Sequence, residues 1–375
     1  MNSPFRQELL SRASIMVVGC GALGNEVLKQ LALMGVGRLT VVDFDRVEAD
    51  NLSRTVLFTP ADAEAGRTKV EVVAERLRQL NPQLTVTALF GDIAYDVGLG
   101  LVLQHDVLIG CVDNRWARYC INRLAMRAGK PWVDGAIDGL EGTARVFMPG
   151  KNCYACSLGP EGLKDMARRL SCANVIRRNV EAGKAPTTSI VASVIGAVEV
   201  QEAVKLLHDE ELRRGDFTSL CGKMFYYEGQ HLSSRLVDFR AYDDDCAVHD
   251  QWQPVRPVAL TAAATVGDTL QLLRHELQAN EVTLNLVDDC FADYIVRRDD
   301  DRRYDVMKPG RAVAGYVDSR DDLRGLPFST FYQHEWRTID SSFPYQSLTL
   351  QQLGLPAQAV MPVDTAHGTY FVEIE

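Results

Sequence analysis

The chain has 375 residues, of which 46% are hydrophobic and 24% charged, with 40 Lys and Arg against 50 Asp and Glu for a formal net charge of −10. At ~150 residues per domain this length implies two or three domains, and the ordinary globular mix excludes collagen-like, low-complexity and disordered classes. The acidic balance argues against general nucleic-acid binding, which draws on a basic surface and counterion release.

Taken in chain order, the N-terminal MNSPFRQELLSR lacks an apolar signal core. No uncharged apolar run reaches the ~18–20 residues that cross a bilayer, so no membrane partner and a cytoplasmic location are expected. Strands are expected at Ile15–Val18, Arg38–Asp43, Leu84–Ala88, Val107–Cys111, Trp132–Gly135 and Ala144–Phe147. Helices alternate with them, one from Gly24 to Met34 and one over Lys69–Leu80, where Val70, Val73, Ala74 and Leu77 recur at helical spacing. This alternation predicts an α/β class with a doubly wound, mostly parallel sheet. Thr187–His208 reads as a long buried helix and Met224–Tyr227 with Ser234–Phe239 as a hairpin. Gln251–Pro257 carries two prolines and reads as a linker. Beyond it a smaller α+β pattern follows: a helix over Gly267–Leu277 and strands at Val282–Val287, Tyr294–Arg297 and Tyr370–Ile374. The RRDDDRR run at Arg297–Arg303 reads as a solvated turn. The expected division is therefore residues 1–255 and 256–375.

The strongest local signal is Val17-Val18-Gly19-Cys20-Gly21-Ala22-Leu23-Gly24, a strand entering GxGxxG and then a helix. Such glycines permit a tight turn and close approach of a phosphate to the helix N-terminus. Asp43 ends the next strand, where an acidic residue bonds ribose hydroxyls, and Asp45 follows in Asp43-Phe44-Asp45. The alternative is a glycine turn that only packs helix on strand. Asn51 and Arg54, three apart, share a face on one helical turn. Arg54 and Lys69 are two cations near the glycine loop, suited to a triphosphate and to charge building on departing pyrophosphate. An NAD dehydrogenase would leave both without a purpose. Asp113, in Cys111-Val112-Asp113-Asn114-Arg115, follows a strand at the sheet's carboxyl edge, where a carboxylate can hold Mg²⁺ against phosphate oxygens. Alternatively Asp113 only caps the helix bearing Arg118 and Asn122.

Nine cysteines in a reducing compartment point to metal, catalysis or buried thiols more than to disulfides. Cys153-Tyr154-Ala155-Cys156 is a CxxC and Cys246-Ala247-Val248-His249 a CxxH; two such pairs from distant segments make a closed tetrahedral Zn²⁺ site. The alternative is four unconnected side chains. Cys172 lies in a segment, 157–186, with six Lys and Arg against three Asp and Glu, a net-positive setting that favours thiolate. Cys20, Cys111 and Cys120 read as packing residues, and Cys221 and Cys290 carry no assignment.

The string GCGALG, VVDFD, DNLSRTVLF, GRTK, CVDNRWAR resembles the ThiF/MoeB/HesA superfamily, which includes the ubiquitin-activating enzymes, over residues 7–250. The resemblance implies ATP-dependent adenylation of the C-terminal glycine of a ubiquitin-like protein. It sets Gly19, Gly21 and Gly24 at phosphate and Asp43 at ribose. Asn51, Arg54 and Lys69 fall on the triphosphate, Asp113 on magnesium, and a structural zinc on the cysteine pairs, with His249 replacing a fourth cysteine. It further implies a thioester on Cys172, a conjugating enzyme as next partner, and a homodimer. One departure is the N-terminal arm with its trans arginine, which here is nearly absent; only Arg6 could substitute. Residues 256–375 resemble, in position alone, the domain that recruits a conjugating enzyme. No rhodanese-like loop surrounds Cys290, and no HxH pair exists for an isopeptidase-type centre. The layout looks similar to activating enzymes of bacterial ubiquitin-like, Bil-type antiphage operons. The alternatives are a MoeB/ThiF-type adenylyltransferase for a sulfur carrier, or a catalytically silent scaffold or partner subunit.

Overall fold

The computed structural model describes residues 5–171, 188–239 and 242–374, the side chains of 165–171 excepted. Cys172, and with it the second half of the 157–186 segment, lies outside the described residues. Contacts divide the described chain into two compact units: residues 5–94, 102–163 and 188–251 form the first, residues 95–101, 164–171 and 252–374 the second.

The first unit is built on an eight-stranded sheet. In chain order its strands are β1 (Ser14–Val18), β2 (Arg38–Asp43), β3 (Thr85–Phe90), β4 (Val107–Gly110), β5 (Trp132–Asp138), β6 (Glu141–Phe147), β7 (Lys223–Glu228) and β8 (Ser233–Asp238). Across the sheet they run β3-β2-β1-β4-β5-β6-β7-β8. The first five are parallel, and β6, β7 and β8 extend them antiparallel. Every residue of β1 and β4 is buried, as expected of central parallel strands covered on both faces, and their sequences are accordingly continuous apolar runs. The chain builds outward from β1 through β2 to β3, then returns to lay β4 against the other side of β1. The order therefore reverses between β1 and β4, the place where doubly wound sheets open a ligand crevice at the strands' carboxyl ends.

The helix Ser189–Leu207 packs on the helix Ala22–Leu33, with Gly196 against Glu26 and Val27. A Cβ at Gly196 would lie 3.1 Å from that of Glu26, so glycine sets how closely the two helices cross. Thr188 starts the first of these helices by accepting a bond from the Val191 amide.

The second unit holds a five-stranded and a three-stranded sheet. Its strands are β9 (Val255–Val258), β10 (Thr283–Asn285), β11 (Phe291–Arg297), β12 (Arg303–Pro309), β13 (Phe331–Trp336), β14 (Thr338–Ile339), β15 (Val360–Thr365) and β16 (Gly368–Ile374). The orders are β14-β10-β15-β16-β9 and β12-β11-β13. The helix Val266–Glu276 contributes Val266, Leu270 and Leu273 to the core of the larger sheet. The proline-rich stretch read as a linker is only partly one: Trp252 stacks on Phe371, and Val255–Pro257 enter β9, parallel to β16. Pro257 is tolerated because β9 is an edge strand, where a missing N–H costs no ladder bond. Among the described residues, no helix is long and apolar enough to cross a membrane.

Candidate functional site

The crevice between β1 and β4 is assembled from glycines whose missing side chains are required. Gly19 has φ +97°, and a Cβ there would sit 2.4 Å from the Cys111 carbonyl oxygen; one at Gly24 would sit 1.9 Å from the Gly19 carbonyl oxygen. The loop is thereby pressed onto β4 and the helix onto the loop. At Gly21, by contrast, a Cβ would meet nothing within 4 Å, so that position opens to space in front of the helix Ala22–Leu33. Unpaired amides at a helix start favour an anion there.

Asp43, at the end of β2, locks the loop. One carboxylate oxygen accepts the Cys20 amide at 2.6 Å and the other the Asp45 amide at 2.7 Å. Burial raises its pKa above the usual carboxylate value, against the pull of Lys69 and of these two amides. Lys69 is buried and donates to Asp45 at 2.6 Å. Burial works against its charge, but Asp43 and Asp45 outweigh it and hold the ammonium above its ordinary value. Asn51 and Arg54 belong to one turn that begins with the 3-10 helix Ala49–Asn51, and both converge on Asp50. The Asn51 amide donates to the Asp50 carboxylate at 2.7 Å, its oxygen accepts the Glu48 amide at 3.1 Å, and the side chain is buried. Arg54 donates to the Asp50 carbonyl and lies 3.8 Å from its carboxylate. Each candidate cation is thus already neutralised by a neighbouring acid.

Asp113 lies three residues beyond β4, on the turn after Cys111, and is exposed. It does not cap the following helix: Asn114 does, accepting the Ala117 amide at 2.8 Å. Its carboxylate accepts the Asn114 side-chain amide at 3.3 Å. An exposed hard oxygen donor of this kind suits Mg²⁺, which binds through one or two carboxylates plus phosphates and water. Arg6 does not extend as a free arm. Its side chain pairs with Glu211 at 2.9 Å, and its amide donates to His208 at 2.9 Å, within its own chain.

Two buried acids behind the crevice escaped the sequence reading. Asp134 on β5 is wholly buried and accepts from Arg118 at 2.8 Å and from Arg145. Glu199, on the helix Ser189–Leu207, is also wholly buried, and its carboxylate lies 3.9 Å from the Cys111 thiol. The available signal was charge at core positions of otherwise apolar elements, Asp134 in WVDG and Glu199 in AVEV.

Cys153, Cys156, Cys246 and His249 are brought together, with all four ligand atoms within 4.8 Å of one another. Cys153 Sγ lies 3.7 Å from Cys156 Sγ and 3.8 Å from Cys246 Sγ, and Cys156 Sγ lies 3.3 Å from His249 Nε2. A tetrahedron with Zn–S bonds of ~2.3 Å has edges of about 3.8 Å, so donor set and spacing fit zinc. Around the cluster, Tyr242 stacks on the His249 ring at 4.4 Å. Asn122 accepts the Tyr154 amide at 2.9 Å, which fixes the start of the CxxC turn.

The ThiF family model matches residues 3–248, about two thirds of the chain. The chain is 36% identical over 243 residues to the sulfur carrier protein adenylyltransferase of Thermus thermophilus, covering 63% of this chain and 82% of that protein. It is 32% identical over 245 residues to the SAMP-activating enzyme E1 of Haloferax volcanii, covering 65% and 83%. Against the adenylyltransferase and sulfurtransferase MOCS3-1 of Zea mays it is 31% identical over 241 residues, covering 64% of this chain and only 47% of that protein. The chain thus spans about half the length of that last relative. Among solved structures, E. coli MccB superposes with a TM-score of 0.53 at 22% identity, covering 65% of this chain and 68% of that one, a likeness of fold. With the glycine loop, the β1/β4 switch point and two thirds of its length matched, the chain belongs to the ThiF family.

Proposed function

We propose that this protein adenylates the C-terminal glycine carboxylate of a small ubiquitin-like protein, with Mg-ATP as co-substrate. The observation that carries the proposal is the convergence at one switch point of the Gly19–Gly24 loop, Asp43, Lys69 and the exposed Asp113. The substrate carboxylate attacks the α-phosphorus, the bond to the bridging oxygen breaks, and pyrophosphate leaves. Gly21 gives the phosphates access to the helix start, Asp43 bonds the ribose, and Asn51, Arg54 and Lys69 meet the triphosphate. When ATP enters, Arg54 and Lys69 exchange their partners Asp50 and Asp45 for phosphate oxygens, countering charge on the leaving group. Asp113 would hold Mg²⁺, which when bound neutralises phosphate charge. The Cys153, Cys156, Cys246 and His249 cluster would hold Zn²⁺ as a structural clip. Cys172 thiolate then takes the acyl group, releasing AMP, and passes it to the thiol of a conjugating enzyme. The working form is a homodimer, and residues 256–375 serve partner recruitment, beside the adenylation domain of residues 1–255.

The second reading ends at adenylation or sulfur transfer, without a conjugating enzyme. It is favoured by the likeness to the sulfur carrier protein adenylyltransferase of Thermus thermophilus, 36% identical over 243 residues that cover 82% of that protein. Incubation with Mg-ATP and candidate ubiquitin-like proteins separates the two. ATP–pyrophosphate exchange that Asp113→Ala abolishes, with a reducible adduct that Cys172→Ala alone removes, is the expected result. Exchange persisting in Asp113→Ala rules out its magnesium role, and an undiminished adduct in Cys172→Ala moves the nucleophile elsewhere. Exchange with no adduct in the unaltered enzyme supports the sulfur-carrier reading.

A further inference from the structure

We infer that Asp134 is a positioning residue for the nucleotide crevice, acting on the Asp113 turn through the guanidinium of Arg118; this rests on the reading that Asp113 takes Mg-ATP. Asp134 is wholly buried on β5 and reaches no ligand itself. One of its oxygens accepts Arg118 Nε at 2.8 Å, and the other accepts Arg145 Nε at 3.0 Å. Arg118 Nη2 in turn donates to the Val112 carbonyl at 2.6 Å and to the Gly135 carbonyl at 3.0 Å. Val112 is the residue before Asp113. A single planar group therefore ties the turn after β4 to β5.

A guanidinium whose Nε is fixed on a carboxylate is restrained in rotation, so that carboxylate helps to set the direction of its remaining donors. Arg145 on the second oxygen holds the Asp134 side chain in place. Asp113 also contributes to the electrostatic environment of Arg118, after Asp134. With Asp134 neutralised, Arg118 keeps its charge but loses the partner that offsets its burial, and Asp113 is a carboxylate whose charge already acts on it. Arg118 would then compete with a cation for the very carboxylate it now orients.

The test is ATP binding to the full chain by calorimetry across a magnesium series, which requires no knowledge of the protein substrate. Asp134→Asn is expected to raise the Mg²⁺ concentration at half-effect by about 10- to 100-fold, as loss of an outer partner of a metal ligand does. Binding of ATP without Mg²⁺ should change by less than about twofold. Arg118→Lys keeps the charge but loses the fork, and should give the same shift where Asp134→Asn fails to fold. A purely structural role lowers the thermal midpoint in both variants and leaves the magnesium dependence of the unaltered protein, which overturns the proposal. If Asp113→Ala also leaves that dependence unchanged, the underlying magnesium reading has failed instead.

Discussion

Gly135 and Glu199 explain one another. A Cβ at Gly135 would lie 2.4 Å from the carboxyl carbon of Glu199, so the strand leaves room for a wholly buried acid. Its Oε1 has no hydrogen-bond partner among the described residues. Burial first, then the charge of Asp134, push this carboxyl well above its ordinary value, with Arg118 pulling back. The folded chain thus keeps a proton that the unfolded chain releases. The contribution of Glu199 to stability is complete below the ordinary carboxyl value and is lost as pH rises toward the raised one. Glu199→Gln removes the titration while keeping the shape. Its unfolding free energy should exceed that of the unaltered chain by a margin that grows above about pH 4.5, at up to about 1.4 kcal/mol per unit. Denaturant melts of both proteins between about pH 5 and about pH 8 check this; a constant margin means that Glu199 is ionised in the fold. The adjacent cap gives a second residue-scale outcome. Asn114→Ala should cost about 1 kcal/mol, the usual value of a lost N-cap, whereas Asp113→Ala should cost little. The opposite ranking in thermal melts would mean that Asp113, not Asn114, starts the helix.

At the scale of elements, legibility followed how local the cause was. The strand Arg38–Asp43 and the helix Lys69–Leu80 occur over the residues expected, because an apolar run and a Thr68 cap act within a few positions. The glycine loop and Asp43 were readable as neighbours for the same reason, being one strand, turn and helix apart. The pairs Lys69–Asp45, Arg54–Asp50 and Arg118–Asp134 were not, since opposite charges carry no pairing information until the fold brings them together. β12 shows the limit from the other side. Its Tyr304 and Val306 alternate with exposed residues, a two-residue period, but the preceding charged run masked it. The cysteine cluster was readable across 93 positions only because zinc imposes paired short spacings. It carries the element-scale prediction. Burial pushes the Cys246 thiol up to about 12 and raises the Cys153 thiol, so without a cation these two hold their protons. Zinc would hold the CxxC turn after β6 to the segment after β8 and displace those protons. Chelation, or His249→Ala, should lower the thermal midpoint of the chain and release about one equivalent of zinc. His249→Cys should keep both metal and midpoint. An unchanged midpoint under chelation would remove zinc from the architecture.

At the scale of the molecule, the two units differ in how the chain supplies them. All four cluster residues, the glycine loop, Asp43, Lys69 and Asp113 belong to the first unit, which ends at Gln251. A chain of residues 1–251 therefore keeps every group assigned to nucleotide and metal, apart from any contribution of the second unit. The second unit is not a simple C-terminal appendage, because it includes Tyr95–Leu101 from between β3 and β4. The Gly100 amide donates to the Gln358 carbonyl at 2.9 Å. Arg311 joins Asp289 at 3.1 Å, the Gly354 carbonyl at 3.1 Å and Asp96 at 3.8 Å, with Tyr95 under its guanidinium. Cutting at the proline-rich stretch would strip Arg311 of Asp96 and Tyr95 and leave the Gln358 carbonyl without that amide. Residues 252–375 alone should consequently unfold at a lower temperature than the same unit within the full chain, by an amount on the order of 1–3 kcal/mol in stability. Arg311→Ala in the full chain should lower that unit's transition while leaving ATP and zinc binding of the first unit unchanged. Calorimetric scans of the fragment, the variant and the full chain decide it: a fragment as stable as the intact unit would mean that Tyr95–Leu101 contributes nothing to it.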